Sequence, residues 1–414
     1  MTIENFDEKL KKYAELIVKV GLNVQEGQKV VVRAGHNTVA LVREITAAAY
    51  KAGSPLVTVV WSDEQLGKIR QQYAPRDSFD RAPTWMFEGI AQEIREGAAY
   101  LQVAGADPEL LKGMDPKTVA TARETMGKNY RPIGELQGQS FTQWNLVCPP
   151  TPDWAKRVFP DLSVEDAEEK LWEKVFTLCR LDNDDPVAVW EAHAADLKQR
   201  RSYLSEKQYE SLHFRAPGTD LKVGLPKGHV WMGGGSKSAD DTDYVANIPT
   251  EEVFTLPHKD QVNGTVASTK PLSYYGSMID NFSLTFKDGK VVELSAEKGE
   301  NVLREMVNTD EGASFLGEVA LVTHGSPISQ SDIVFLNTLY DENASCHLAL
   351  GRAYKFNLEG GPAMSNDEFF AAGGNNSNIH VDFMFGSGEM DIDGINADGS
   401  IEPIMRGGEW AFDV

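Results

Sequence analysis

The chain has 414 residues, 41% hydrophobic and 25% charged, with a formal net charge of −22. At this length such a composition supports two or three folded domains with sizeable cores and excludes global disorder. The negative balance repels phosphate backbones and anionic lipid, so neither a nucleic-acid nor a membrane partner is expected, while cations and substrates with a positive amino terminus are attracted.

"MTIENFDEKLKKYAELIVKV" spaces Phe6, Leu10, Tyr13, Ile17 and Val20 as an amphipathic helix and does not read as a cleaved leader. "KVVVRA" (29–34) is a short β-branched strand. "NTVALVREITAAAYKAG" (37–53) is a helix, with Asn37 as its N-cap and Gly53 as its stop. "PLVTVVW" (55–61) is a second strand, 63–74 and 83–97 are helical, and "AAYLQVAGA" (98–106) is a third strand. A helix over 116–129 and a strand over 141–147 follow. This βαβαβ rhythm predicts an α/β N-terminal domain with a mostly parallel sheet.

Prolines in "CPPTPDWAKRVFPD" break the rhythm, and the chain then reads as charged helix from Ser163 to about Phe214, with Ser163 and Asp166 in a capping pattern. After "RAPGTD" (215–220) short alternating segments and Gly-rich turns take over, and "KDGK" between alternating runs signals a hairpin. The expected division is therefore 1–215, an α/β domain with a helical extension, and 216–414, a β-rich α+β domain. Cys148, Cys179 and Cys346 are too few and too scattered for a disulfide framework or a CxxC zinc site. No apolar run reaches the roughly 18 residues that a membrane span needs. A cytoplasmic location is expected.

Several metal-type residues of the second half stand inside apolar, strand-like text. "NIPTEEVFTLP" (247–257) holds Glu251 and Glu252, of which only one should face any given site, because strand neighbours point to opposite faces. "FLGEVALVTHG" (315–325) holds Glu318, which is either an edge-strand residue in solvent or a buried carboxylate needing a partner or a metal. "NASCHLALGRAY" (343–354) holds His347 and Tyr354, two helical turns apart if the segment is a helix, although Gly351 weakens that reading. "NIHVDFMFG" (378–386) places His380 and Asp382 two apart, hence on one face of a strand. Taken alone that pair is a polar surface, or an Asp orienting a core His. Taken with the others it belongs to a carboxylate–imidazole set that suits Zn²⁺, Mn²⁺, Co²⁺ or Mg²⁺ in a hydrolytic site. Three carboxylates against two divalent ions leave about +1, enough to acidify a water between them.

Rival chemistries are poorly supported. HExxH and GxSxG are absent, "WMGGGSKSADD" (231–241) lacks phosphate-loop spacing, and "DIDGINADGS" (391–400) lacks calcium-loop spacing and reads as a hairpin turn. Cys346 beside His347 reads as a small core residue.

"NIPTEEVFT", the lone Glu of "FLGEVAL", "ASCHLALGRAY" and "HVDFMFG" resemble, in order and spacing, the motifs of the aminopeptidase T, aminopeptidase S and aminopeptidase II family of co-catalytic metallopeptidases, over the whole chain. The resemblance implies two divalent ions (Zn, Co, Mn or Mg) held by Glu252, Glu318, His347, His380 and Asp382, with Glu318 as the bridge. It also implies a homodimer whose active sites face an internal cavity, and removal of amino-terminal residues from peptides with a free amino terminus. Tyr354 would then donate to the developing oxyanion, and Glu251 would shuttle a proton or recognise the amine. A metal-dependent amidase acting on small non-peptide amides, and a binding protein with structural ions, are the alternatives.

Overall fold

In the computed structural model, which describes residues 3–105, 107, 109–274 and 277–414, the chain divides into two units: Met1–Ala192 with Gly235–Pro249, and His193–Gly234 with Thr250–Val414. The first unit is built on a five-stranded sheet. Strands β1 (Val30–Gly35), β2 (Val57–Ser62), β3 (Ala99–Val103), β4 (Trp144–Val147) and the two residues Asn247–Ile248 run parallel, in the order 247–248, β4, β3, β1, β2. The β-branched run Val30–Val32 is buried, as central parallel strands require. The sequence carries β3 on to Ala106, which lies outside the described residues, as do Met1 and Thr2 at the head of the first helix.

Helices α1 (Phe6–Leu16), α2 (Val39–Lys51), α3 (Thr84–Arg95) and α4 (Pro116–Gly138) belong to this unit. Asn37 does not cap α2. It lies in a 3-10 turn, His36–Thr38, where the Thr38 hydroxyl donates to the Gly35 carbonyl at 2.7 Å. Gly53, at φ 94°, ends the segment as expected. Helix α4 runs nine residues past the expected stop at 129 and continues through Pro132. Ile133 and Leu136 beyond the proline pack with Ile90, Ile94 and Tyr100, and that burial outweighs one lost backbone hydrogen bond.

Ser163 caps α5 (Val164–Leu178): its hydroxyl accepts from the Asp166 N–H at 3.0 Å and donates to the Asp166 carboxylate at 2.8 Å. Helix α6 (Pro186–Lys207) stops short of the expected 214, because Ser211–Ala216 alternates, with Leu212 and Phe214 buried and His213 half-buried, and so forms a strand. The partition between the units falls at His193 and not near 215. Leu197 and Leu204 of α6 lie in the core of the second unit.

The second unit holds two antiparallel sheets. The larger, nine-stranded one contains β5 (Ser211–Ala216) and β6 (Thr219–Gly224) among its members. The smaller has five strands: β7 (Met232–Gly233), β8 (Val253–Thr255), and, further along the chain, Leu316–Leu321, His347–Gly351 and His380–Met384. Between β8 and those last three, the larger sheet adds β9 (Val262–Ala267), β10 (Ser277–Lys287) and β11 (Lys290–Lys298). The "KDGK" hairpin joins β10 to β11 through Asp288 (φ 48°) and Gly289 (φ 84°), the pair of left-handed residues that such a turn needs. We number the three remaining strands of the smaller sheet β12 (Leu316–Leu321), β13 (His347–Gly351) and β14 (His380–Met384). The larger sheet continues with β15 (Asp391–Ile395) and β16 (Ile401–Arg406), paired through the turn read from "DIDGINADGS", and ends with the two residues Glu409–Trp410 beside β16. One core joins the two sheets. Phe214 of β5 meets Phe385 with ring centroids 5.2 Å apart, and Phe282 of β10 meets Phe383 of β14 at 5.5 Å. One face of the smaller sheet is therefore sealed, and chemistry is left to the other. Among the described residues no helix is long and apolar enough to cross a membrane.

Candidate metal centre

The smaller sheet runs β14, β13, β12, β8, β7. Residues opposite each other on neighbouring strands share a face. Glu318 on β12 is opposite Ala349 on β13, which is opposite Asp382 on β14. The next row is Phe254, Ala320, His347 and Met384, and His380 faces Gly351. Val319, Leu348 and Phe383 alternate with these and enter the core. Alternation thus gives one strand face to packing and the other to Glu318, His347, His380 and Asp382. Glu252 joins them from the residue just before β8. Small residues make the room: Ala349 separates the two carboxylates of its row. Gly317 lies in a register shift of β12, where a Cβ would strike the Arg352 carbonyl oxygen. Gly351, at φ 105°, turns the chain out of β13 in a conformation that favours glycine.

Two clusters result, Glu252–Glu318–His347 and Glu318–His380–Asp382, and Glu318 belongs to both. Its Oε1 lies 3.4 Å from His347 Nε2, and its Oε2 lies 3.7 Å from His380 Nε2. His347 Nε2 is also 3.1 Å from Glu252 Oε2, and His380 Nε2 is 3.4 Å from Asp382 Oδ1. The far nitrogens are fixed by backbone. His347 Nδ1 donates to the Ser345 carbonyl at 3.2 Å and His380 Nδ1 to the Arg352 carbonyl at 2.6 Å, so both rings present Nε2 to the carboxylates. This is the arrangement of imidazoles oriented for a metal. Glu252 Oε2 and Asp382 Oδ1 are buried and have no neighbour to satisfy them but the imidazole Nε2 atoms beside them. Buried carboxylate oxygens of that kind call for a cation, and the mixed oxygen and nitrogen donors suit a divalent one.

The electrostatics agree. Burial pushes Glu318 above the ordinary carboxylate range. Burial alone would lower both histidines, but the carboxylates around them prevail. Glu252 and Glu318 hold His347 well above its usual value, and Asp382 raises His380 to about 9. Protons thus take the place of positive charge that the carboxylates demand.

Glu318 lies on the third of five strands, and not on an edge strand, because β12 is flanked by β13 on one side and β8 on the other. "HLALG" is a strand, not a helix, so Tyr354 reaches the site through the loop after Gly351, with its ring 4.8 Å from His380. Glu251 belongs to neither cluster. Its Oε2 lies 3.4 Å from His193 Nε2, and its N–H donates to Asn343 Oδ1 at 2.7 Å. Cys346 sits in the core and its thiol donates to the Val322 carbonyl, with burial pushing it up to about 11. Sequence reasoning missed Glu342. Burial, and then the charges of Glu252 and Asp382, push its carboxyl well above the usual range, which puts a further acid beside the clusters. The only signal was an acid shortly before His347, in a segment that reads as a turn. Its neighbour Asp341 does serve that turn, accepting from the Phe335 and Asn337 N–H groups at 2.7 and 2.9 Å.

The family described as thermophilic metalloprotease (M29) matches residues 6–410. The chain belongs to that family. It is therefore a metallopeptidase, a hydrolase of peptide bonds. Aminopeptidase AmpS of Bacillus subtilis (strain 168) is 48% identical over 410 residues, 99% of this chain and 100% of the relative. Aminopeptidase 2 of Geobacillus stearothermophilus is 47% identical over 415 residues, covering 100% of both chains. Among solved structures, wild-type AmpT from Thermus thermophilus superposes with a TM-score of 0.93 at 44% identity, covering 98% of this M29 chain and 100% of that one.

Proposed function

We propose that Glu252, Glu318 and His347 hold one divalent ion, that Glu318, His380 and Asp382 hold a second, and that this M29 metallopeptidase works as an aminopeptidase on peptides with a free amino terminus. One observation carries the two-ion reading: the oxygens of Glu318 are turned to two different histidines, 3.4 and 3.7 Å away. Ions so held supply Lewis acidity, which polarises a carbonyl and acidifies water. The chain's own residues do the rest. The Tyr354 phenol donates to the developing oxyanion. Glu342, whose carboxyl feels the charges of Glu252 and Asp382, exchanges a proton with attacking water and leaving amine in this reading. Glu251, buried beside Glu252 and braced by His193, serves recognition of the amine. Zn²⁺, Co²⁺, Mn²⁺ and Mg²⁺ all suit the donor set. The family resemblance extends the proposal to a homodimer, and three buried thiols suit a reducing cytoplasm.

Glu318→Gln tests the bridge, since it keeps the shape and removes the charge. Elemental analysis should find metal lost, and turnover of a leucyl amide should fall below about a tenth of wild type, roughly 1.4 kcal/mol of barrier. Activity above that level, or an unchanged metal content, contradicts the bridge. An N-acetylated peptide should resist cleavage while its free counterpart is cut. Equal rates would favour the metal-dependent amidase.

A further inference from the structure

We propose that Phe254, Phe356 and Tyr354 form the wall that receives the side chain of the peptide's first residue, and that Phe254 and Phe356 set how strongly large apolar side chains are preferred to small ones. The inference rests on the reading that the two clusters are the catalytic centre. Phe254 is on β8, two residues after Glu252, and opposite Ala320, which is itself opposite His347. It therefore stands on the metal-facing side of the sheet. The Phe356 ring meets it edge-on, with centroids 6.3 Å apart. Tyr354 stacks on Phe356 at 5.1 Å and 8°, and lies against His380 at 4.8 Å. A continuous run of rings thus passes from the strand of the first cluster to a histidine of the second.

Phe254, Tyr354 and Phe356 are each only half-buried, whereas Phe383 on the opposite side of the same sheet and Phe385 just after β14 are sealed in the core. The wall has an accessible surface that the fold itself does not use. Its one polar side-chain atom is the Tyr354 hydroxyl, so what it offers a ligand is aromatic area. The occupant follows from connectivity. The first residue of a peptide carries both the free amine and the scissile carbonyl. With those two groups over the clusters, its own side chain is the one nearest the wall.

The test compares wild type, Phe356→Ala and the milder Phe254→Leu on phenylalanyl, leucyl and alanyl amides, and on the dipeptides Ala-Phe and Ala-Ala. The ratio of kcat/KM for the phenylalanyl and leucyl amides over the alanyl amide should fall by at least about tenfold in Phe356→Ala, the scale of a lost apolar contact in a specificity pocket, and by less in Phe254→Leu. The Ala-Phe to Ala-Ala ratio should stay at the wild-type value, and so should the metal content. A merely structural role would slow all amides alike and leave the ratios unmoved, which overturns the proposal. A change confined to the dipeptide ratio also overturns it, by moving the wall to the second residue. If wild type cleaves none of these substrates, the underlying aminopeptidase reading fails. If it cleaves them all and the ratios stay fixed, the wall alone fails.

Discussion

In the proposed mechanism Tyr354 is a proton donor and not a ligand. Burial, and then the negative charges of Glu318 and Asp382, hold its phenol above the ordinary range, so it stays protonated at neutral pH and keeps an O–H to donate. Tyr354→Phe should lower kcat by about 10²–10³, as for other oxyanion donors, with KM little changed. Elemental analysis should find the wild-type metal content. Loss of a metal, or full kcat, would make the tyrosine a ligand or a structural residue. Glu252, Glu318, His347, His380 and Asp382 stood out in the sequence for one reason, since each interrupts or borders an apolar strand where an ionisable group is costly. Glu342 did not, because a carboxylate in a turn is ordinary and nothing local distinguishes it from Asp341, whose work is to hold backbone N–H groups. Asn343 was equally silent. It joins this turn to the chain at Glu251, a tie that only the tertiary fold creates.

At the scale of elements, the site is a property of strand register. Glu318, Ala349 and Asp382 form one row across β12, β13 and β14, and the methyl of Ala349 is what lets both carboxylates lean inward. Ala349→Leu should keep the backbone ladder and spread the carboxylates apart. We expect far-UV circular dichroism like wild type, with metal content and turnover reduced by at least about tenfold, or roughly 1.4 kcal/mol. Wild-type metal binding in that variant would show that the row is not the frame of the site. Register also explains what could be read in advance. The two-residue spacing of His380 and Asp382 declares a shared face once the segment is known to be a strand. "HLALG" was ambiguous because all five of its residues are buried, and without an exposed side no period separates strand from helix. Helix α6 hid the partition of the chain for a similar reason: Leu197 and Leu204 show that the helix has an apolar side without showing which core it enters.

At the scale of the molecule, the two units carry unequal burdens. Among the described residues, both clusters of candidate ligands belong to the second, and the first has a sheet whose strands bear none of them. Glu252, Glu318 and Asp382 share one buried face of the second unit with only two imidazoles beside them, so their mutual repulsion is relieved when cations bind. Ions that bind only the folded state add stability, about 2.7 kcal/mol at a hundredfold excess over Kd. Chelation should therefore speed amide hydrogen exchange in β12, β13 and β14 and leave β1 and β3 unaltered. Equal acceleration in both units would mean that the metals stabilise the whole chain and not this sheet.

In the smaller sheet, β12, β13 and β14 lie side by side in the order in which the ribosome makes them. Glu252, Glu318 and His347 are all translated before His380 and Asp382. One trio is complete in the chain while the other still lacks two of its members, and Glu318 is the residue they share. Chain order thus completes the Glu252–Glu318–His347 group before the Glu318–His380–Asp382 group.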